Sequence, residues 1–183
     1  MYDILMVGHV SKDIIEDPHG VQHVLGGPVV YCSAAAARSG ASVLVVTKAA
    51  TEDRERLSII TESGAELRTL DTTATTSIHN RYHDADHERR TVTLLQAADP
   101  FTIDDIPADE ARIIHFAGLF AGDLPQELVE RLAPRGEIAL DAQGVVRKNE
   151  AGNLVFGDWE RKERFLPSIT YFKTDAAEAE ALT

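Results

Sequence analysis

The segment LGGPVVYCSAAAARSGA, Leu25 to Ala41, limits the folds open to this chain more than any other stretch. Two glycines and a proline lead into a run of small residues that closes on Ser39-Gly40. Proline is favoured at the first position of a helix, where its missing N–H costs nothing. Glycine is a common stop just past a helix end. The spacing predicts a helix that starts at Gly27-Pro28 and stops at Gly40. Two short apolar runs, YDILMVGHV and SVLVVTKA, flank it and read as buried strands. Strand, helix and strand in that order favour a parallel sheet with helices on its faces. The small residues have two explanations. We read Gly26 and Gly27 as room for a ligand, and Ala34 to Ala37 as close packing of the helix on the sheet. The alternative for the glycines is a tight turn.

The rhythm continues downstream. EDRERLSIITESG reads as an amphipathic helix closed by Gly64, and AELRTLDT as a further strand. Between the first strand and the helix, SKDIIEDPHGVQHVL suggests a hairpin-like excursion over about 12–25. Residues 72–97 break the α/β pattern, alternating polar and apolar residues around a polar centre. They read as a β-hairpin with one wet face, apart from the main sheet. Strands follow at ARIIHFAGL, EIALDAQG and TYFKT, with helices at LPQELVERLAPRG and in WERKERFLPSI up to Pro167. DAAEAEALT begins a last helix, and an ending inside it is what a fragment boundary would give. The expectation is one α/β domain over 1–183.

The chain has 183 residues, 44% of them hydrophobic, enough for one domain with a core. Its formal net charge of −12 argues against binding a phosphate backbone or an anionic membrane. It leaves room for a nucleotide held with Mg²⁺ by a few local donors. One cysteine, Cys32, excludes an intrachain disulfide, and on its alanine-rich helix it reads as a small buried hydrophobe. The N-terminus lacks the basic start and apolar run of a signal peptide. No apolar run approaches the roughly 18 residues of a membrane span. A cytoplasmic location is expected.

Gly8 ends the first strand, and Asp13 follows five residues later. In an open α/β sheet, ligands bind outside the carboxyl ends of the strands. A carboxylate there accepts hydrogen bonds from hydroxyls, and glycines let a ring come close to backbone N–H groups. That combination suits a neutral, hydroxyl-rich ligand. Other clusters are weaker. HDADHE, His83 to Glu88, reads as a solvated hairpin tip rather than a metal site. Ala121 to Asp123 read as a strand-to-helix loop, with an anion hole as the lesser alternative. Arg89-Arg90 could reach an anionic group or be plain surface charge.

GGPVVYCSAAAARSGA resembles the N-terminal signature of the ribokinase/PfkB family of carbohydrate kinases: Gly-Gly, a small-residue helix, then Arg-x-Gly-Ala. VGHVSKD, the hairpin with TTSIHNRY and ERR, LDAQGVVR and YFKTDAAEAEAL resemble further family segments in the family's order. The resemblance implies a three-layer α/β/α fold with a mainly parallel sheet and a small β-hairpin lid, its C-terminal part missing here. It implies ATP-dependent phosphoryl transfer to a sugar or polyol hydroxyl, with Mg-ATP as cofactor. Asp13, Gly26 and Gly27 would contact the substrate, with Tyr31, Ser77, Asn80 and Gln143 as secondary contacts.

The family's Asn-x-x-Glu is Asp175-x-x-Glu178 here, serving phosphate and, indirectly through Glu178, Mg²⁺. A helix capping box is the alternative for that pair. The catalytic Asp-Thr-x-Gly-Ala-Gly-Asp segment is absent, so no catalytic residue is expected in this chain and, alone, it is expected to lack activity. Tyr31 stands where the family usually has Asn, and this variant together with DAQG resembles the inositol and polyol branch more than ribokinase itself. The lid suggests a homodimer. Two alternatives stay open: a polyol-binding or regulatory module without catalysis, and a nucleoside kinase with Tyr31 stacked on a base.

Overall fold

Pro28 opens a helix whose N-terminal neighbour, Gly27, has φ 98°, and Gly40 follows its end with φ 93°. In the computed structural model, which describes residues 1–84 and 89–183, this helix is α1 (Pro28–Arg38). The chain order is β1 (Tyr2–Val7), β2 (Ser11–Asp17), β3 (Gly20–Gly26), α1, β4 (Val43–Lys48), α2 (Ser58–Glu62), β5 (Glu66–Leu70), β6 (Thr76–Tyr82) and β7 (Arg90–Gln96). Then come β8 (Ala111–Phe116), α3 (Glu127–Leu132), β9 (Glu137–Asp141), α4 (Gln143–Val146), β10 (Arg147–Glu150), β11 (Asn153–Phe156), α5 (Lys162–Phe165), β12 (Tyr171–Lys173) and α6 (Ala176–Ala181).

Six strands form a sheet of order β12-β9-β8-β1-β4-β5, with every pairing parallel. Side chains alternate across its faces, as the pleat dictates. Leu5, Val7, Leu44, Val46, Ile114 and Phe116 pack on one face, in a core closed by α3, Trp159 and Phe165. Met6, Val43 and Val45 pack on the other, against Val29 and Val30 of α1 and Ile60 of α2. This is the expected α/β/α layering. β1 lies at the centre, and the strand order reverses beside it: β4 and β5 go one way, and β8, β9 and β12 the other.

The second sheet is larger than the expected hairpin. Its order is β10-β11-β7-β6-β2-β3, so the excursion at 12–25 and the strands within 72–97 are neighbours in one lid. β2 pairs β3 antiparallel and β6 parallel, joining the two predicted pieces. β10 and β11, which the sequence reading left unassigned, extend the sheet through the Asn153–Thr93 pairing. The expected solvated hairpin tip at 83–88 falls mostly on residues 85–88, which lie outside the described residues.

Residues 51–62 differ from the expected continuous helix. A tight 3-10 segment, Thr51–Leu57, precedes a short α2. Asp53 is drawn inward, 2.8 Å from the Lys12 ammonium of β2, which ties the lid to the body. Among the described residues, no helix is long and apolar enough to cross a membrane.

Candidate functional site

The carboxyl ends of β1, β8 and β9 are held together by glycines. A Cβ at Gly8 would run into the Ala117 carbonyl, and one at Gly118 would sit 3.0 Å from the Gly144 Cα. This tight floor lies at the strand-order reversal, where open α/β sheets form their ligand crevice. Above it, between the two sheets, is a cavity of about 390 Å³. The lid contributes Asp13, Ile78 and Asn80 to its wall. Helix α1 contributes Tyr31 and Cys32, behind Gly27. The strand ends contribute Leu119, Gln143, Arg147 and Lys173.

Asp13 is the most conspicuous of these groups. Its Oδ1 is buried and has no hydrogen-bond partner. Burial pushes its carboxyl pKa up, against the lowering effect of a Ser11 hydrogen bond and the charges of Arg90 and Arg147. Asn80 is 9% exposed, and its amide makes no hydrogen bond among the described residues. Gln143 Nε2 donates to the Gly118 carbonyl at 2.9 Å, which fixes the side chain at the floor. Leaving buried polar groups unmade is costly, so such groups in a cavity are poised for a ligand.

The other expected contacts fall differently. Tyr31 lies at the rim and is 60% exposed. Ser77 does not line the cavity. It alternates with Ile78 and Asn80 along β6, and its hydroxyl donates to the Lys12 carbonyl at 3.1 Å. The two glycines are small for the protein's own sake. A Cβ at Gly26 would collide with the Asp13 carboxylate, and one at Gly27 would lie 2.8 Å from the His9 carbonyl. Gly26 therefore makes room for Asp13, and only Gly27 reaches the cavity wall. Cys32 is half-buried at that wall rather than hidden in the core, and burial raises its thiol pKa.

A second cleft of about 500 Å³ adjoins the first. Arg90 and Arg147 line both, and Tyr82, Arg89, Phe156 and Asp175 line the second. Asp175 and Glu178 form a reciprocal capping box on α6. Asp175 Oδ1 accepts from the Glu178 amide at 2.8 Å, and Glu178 Oε2 accepts from the Asp175 amide at 3.0 Å. Glu178 is buried by that role, whereas Asp175 is exposed to the cleft.

Two clusters escaped the sequence reading. Buried Asp141 lies 2.8 Å from Lys173 Nζ and 3.2 Å from His115 Nε2. Burial alone would raise the Asp141 carboxyl pKa, but His115 and Lys173 outweigh it and hold the pKa below its ordinary value. Parallel pairing of β12 with β9 sets Lys173 opposite Asp141, so the strand-end position of each residue was the available signal. The second cluster is His9, buried 3.3 Å from Asp123. Asp123 Oδ2 accepts from the Leu119 amide at 2.7 Å, so the buried Asp123 staples the loop that carries Ala121 and Gly122.

No family model matches the chain, and none of the curated proteins matches it. Solved structures do. One is described as a pyrophosphate-dependent kinase in the ribokinase family complexed with a pyrophosphate analog and myo-inositol. It is 37% identical, with a TM-score of 0.92, over 98% of this chain and 64% of that one. A sulfate complex of a pyrophosphate-dependent kinase in the ribokinase family is 38% identical, with the same TM-score and coverage. A third structure concerns the conversion of a pyrophosphate-dependent myo-inositol-1 kinase into a myo-inositol-3 kinase. It is 35% identical, with a TM-score of 0.91, over 98% of this chain and 62% of that one. The chain thus spans under two thirds of the length of these relatives. Adenosine kinase from Sinorhizobium meliloti, 17% identical with a TM-score of 0.63 over 78% of this chain and 57% of that one, shares the fold.

Proposed function

We propose that this chain, which belongs to the ribokinase family, binds an inositol-like polyol between its two sheets and serves phosphoryl transfer to one of the polyol hydroxyls. The observation that carries the reading is the unpartnered Asp13 oxygen beside the Asn80 amide, which has no partner among the described residues, on the lid wall of a partly open cavity. A carboxylate accepts hydroxyl hydrogens, an amide both donates and accepts, and a ring of hydroxyls needs both. A cavity of about 390 Å³ is in the range for a small-molecule site. Tyr31 at the rim would cover one face of the ring. Ser77 would act only through the backbone of Lys12.

The donor expected from the sequence is Mg-ATP. Relatives at 37% and 38% identity are described as pyrophosphate-dependent, so we take pyrophosphate as the donor and ATP as the competing one. Among the described residues, Asp175 is the one with a carboxylate open to the second cleft, and it would hold a hydrated Mg²⁺ through water. Mg²⁺ favours oxygen ligands and keeps much of its water shell. Bound there, it would neutralise charge on the phosphoryl group. Glu178 would serve by fixing Asp175 through the capping box. The lid sheet would exclude water from the transfer. β3 is an open edge of that sheet, with Val21 58% exposed, which is compatible with a homodimer through the lid.

Thermal-shift and phosphoryl-transfer assays test this reading. Myo-inositol is expected to raise the melting temperature more than pentoses or adenosine do, and pyrophosphate to yield an inositol phosphate. A shift with adenosine alone would favour a nucleoside kinase. Polyol binding with no transfer from either donor by the full-length gene product would leave a binding module.

A further inference from the structure

Most arginines of this acidic chain have a carboxylate partner. Arg54, Arg68, Arg161 and Arg164 are each ion-paired at 2.5–2.7 Å. Arg90 and Arg147 are not, among the described residues. Arg147 donates to the Leu119 carbonyl at 3.4 Å. Arg90 donates to the Tyr82 hydroxyl at 2.9 Å and lies over its ring. Yet these two line both the polyol cavity and the cleft beside it. Burial and the like charge of Arg90 both push the Arg147 pKa down. Two guanidiniums thus face shared space with no carboxylate in ion-pair contact among the described residues, and Glu178, Asp175 and Asp13 act on Arg147 only from farther off.

An arginine fork matches the oxygens of a phosphoryl group bidentately, and such charge-assisted bonds are the strong ones. We infer that Arg90 and Arg147 form a phosphoryl-binding clamp at the passage between the two cavities. A group held there meets the polyol on one side and Asp175 on the other. The clamp deepens the proposed function and rests on its reading of the larger cavity as the acceptor site. The phosphoryl group could be the donor's or the ester group of a phosphorylated polyol.

Calorimetric titration of the full chain separates these outcomes. Pyrophosphate is expected to bind, and Arg147→Met and Arg90→Met are each expected to weaken it about tenfold or more. Myo-inositol affinity should fall much less than pyrophosphate affinity, since the arginines share the cavity wall with Asp13 and Asn80 but leave both side chains in place. Arg147→Lys keeps the charge but not the fork, and should recover only part of the loss. If the half-buried Arg147→Met variant fails to fold by circular dichroism, the exposed Arg90→Met carries the test.

Simultaneous binding of pyrophosphate and myo-inositol assigns the clamp to the donor. An inositol monophosphate that displaces both assigns it to the ester. Either result supports the clamp. Pyrophosphate affinity indifferent to both arginines, or no pyrophosphate binding by the parent, overturns it. Failure of the polyol reading looks different: the parent does not bind myo-inositol, while the dependence of pyrophosphate on the arginines stands.

Discussion

The two sheets have six strands each, but they solve different problems. The parallel sheet is covered on both faces, and every residue of β4 is buried. Its buried side chains are mostly apolar and satisfied by packing, and the buried Thr47 and Lys48 of β4 have partners in Val10 N–H and Asp105. The lid sheet is half-open: only Ser11 of β2 is buried, and β3 is mostly exposed until Leu25. The lid also carries Asp13 Oδ1 and the Asn80 amide, both without a hydrogen-bond partner among the described residues. One sheet fixes where the strand ends lie. The other brings polar groups over those ends and leaves them without protein partners among the described residues.

That contrast can be broken by mutation, and the largest effect should come from the parallel sheet. Ile114 is 1% exposed in the main core. Ile114→Ala should cost about 3 kcal/mol of stability through lost burial and a cavity. Ile14→Ala, at a half-buried lid position, should cost less than about 1.5 kcal/mol. Urea unfolding of both variants measures the difference. Equal losses would mean that the two sheets share one core.

Asp141 gives the next largest effect. Asp141→Asn strips His115 and Lys173 of a buried counter-charge and should cost about 3 kcal/mol. The pH dependence has a definite sign. Because the folded pKa lies below the unfolded one, the stabilisation is present above the ordinary carboxylate range. It is lost as pH falls through the folded value. Acid-unfolding curves of parent and variant should therefore converge at low pH. A constant gap across that range would remove Asp141 from this role.

The parallel sheet was legible because its signals are local and repeated. Short β-branched runs, Pro28 and Gly40 mark their own elements. The lid was legible only in part. β2 joins β6 across more than sixty residues, and nothing in either strand announces a parallel partner. RKNEAGNLVF was passed over, although Ala151-Gly152 at its centre, with φ 49° and 93°, is a turn between β10 and β11. Asp13 was singled out by its place after the first strand, and Tyr31, Asn80 and Gln143 through resemblance, and all four line one cavity. Gly26 was found for the wrong reason, since its neighbour is the Asp13 carboxylate. Lys173 was missed because its importance comes from the strand beside it.

Asp13 should separate function from stability within the lid. Its pKa is raised, so ionised Asp13 makes the fold less stable above the ordinary carboxylate range. Asp13→Asn should leave the melting temperature unchanged or slightly higher. It should weaken myo-inositol binding by about tenfold, the worth of one or two hydrogen bonds to a charged group. Binding by the parent needs the ionised carboxylate. Its affinity should be full above the raised pKa and fall as pH drops through it, while the variant's profile stays flat there. A parent profile as flat as the variant's would remove Asp13 from the site.

The smallest effect should come from Tyr31, and it tests the contrast at its edge. Tyr31 stands on α1, a helix of the body, yet it lines the cavity that the lid covers. With 60% of its surface exposed, Tyr31→Ala should change stability by less than about 0.5 kcal/mol. If the ring covers one face of a polyol, the same change should weaken myo-inositol binding by a few fold, with little effect on pyrophosphate. Tyr31→Phe should restore most of the loss, because the contribution is the ring's apolar face rather than its hydroxyl. Rescue by Phe would assign Tyr31 to shape. Loss in both variants would assign it to hydrogen bonding, and the acceptor would then be held from the body as well as from the lid.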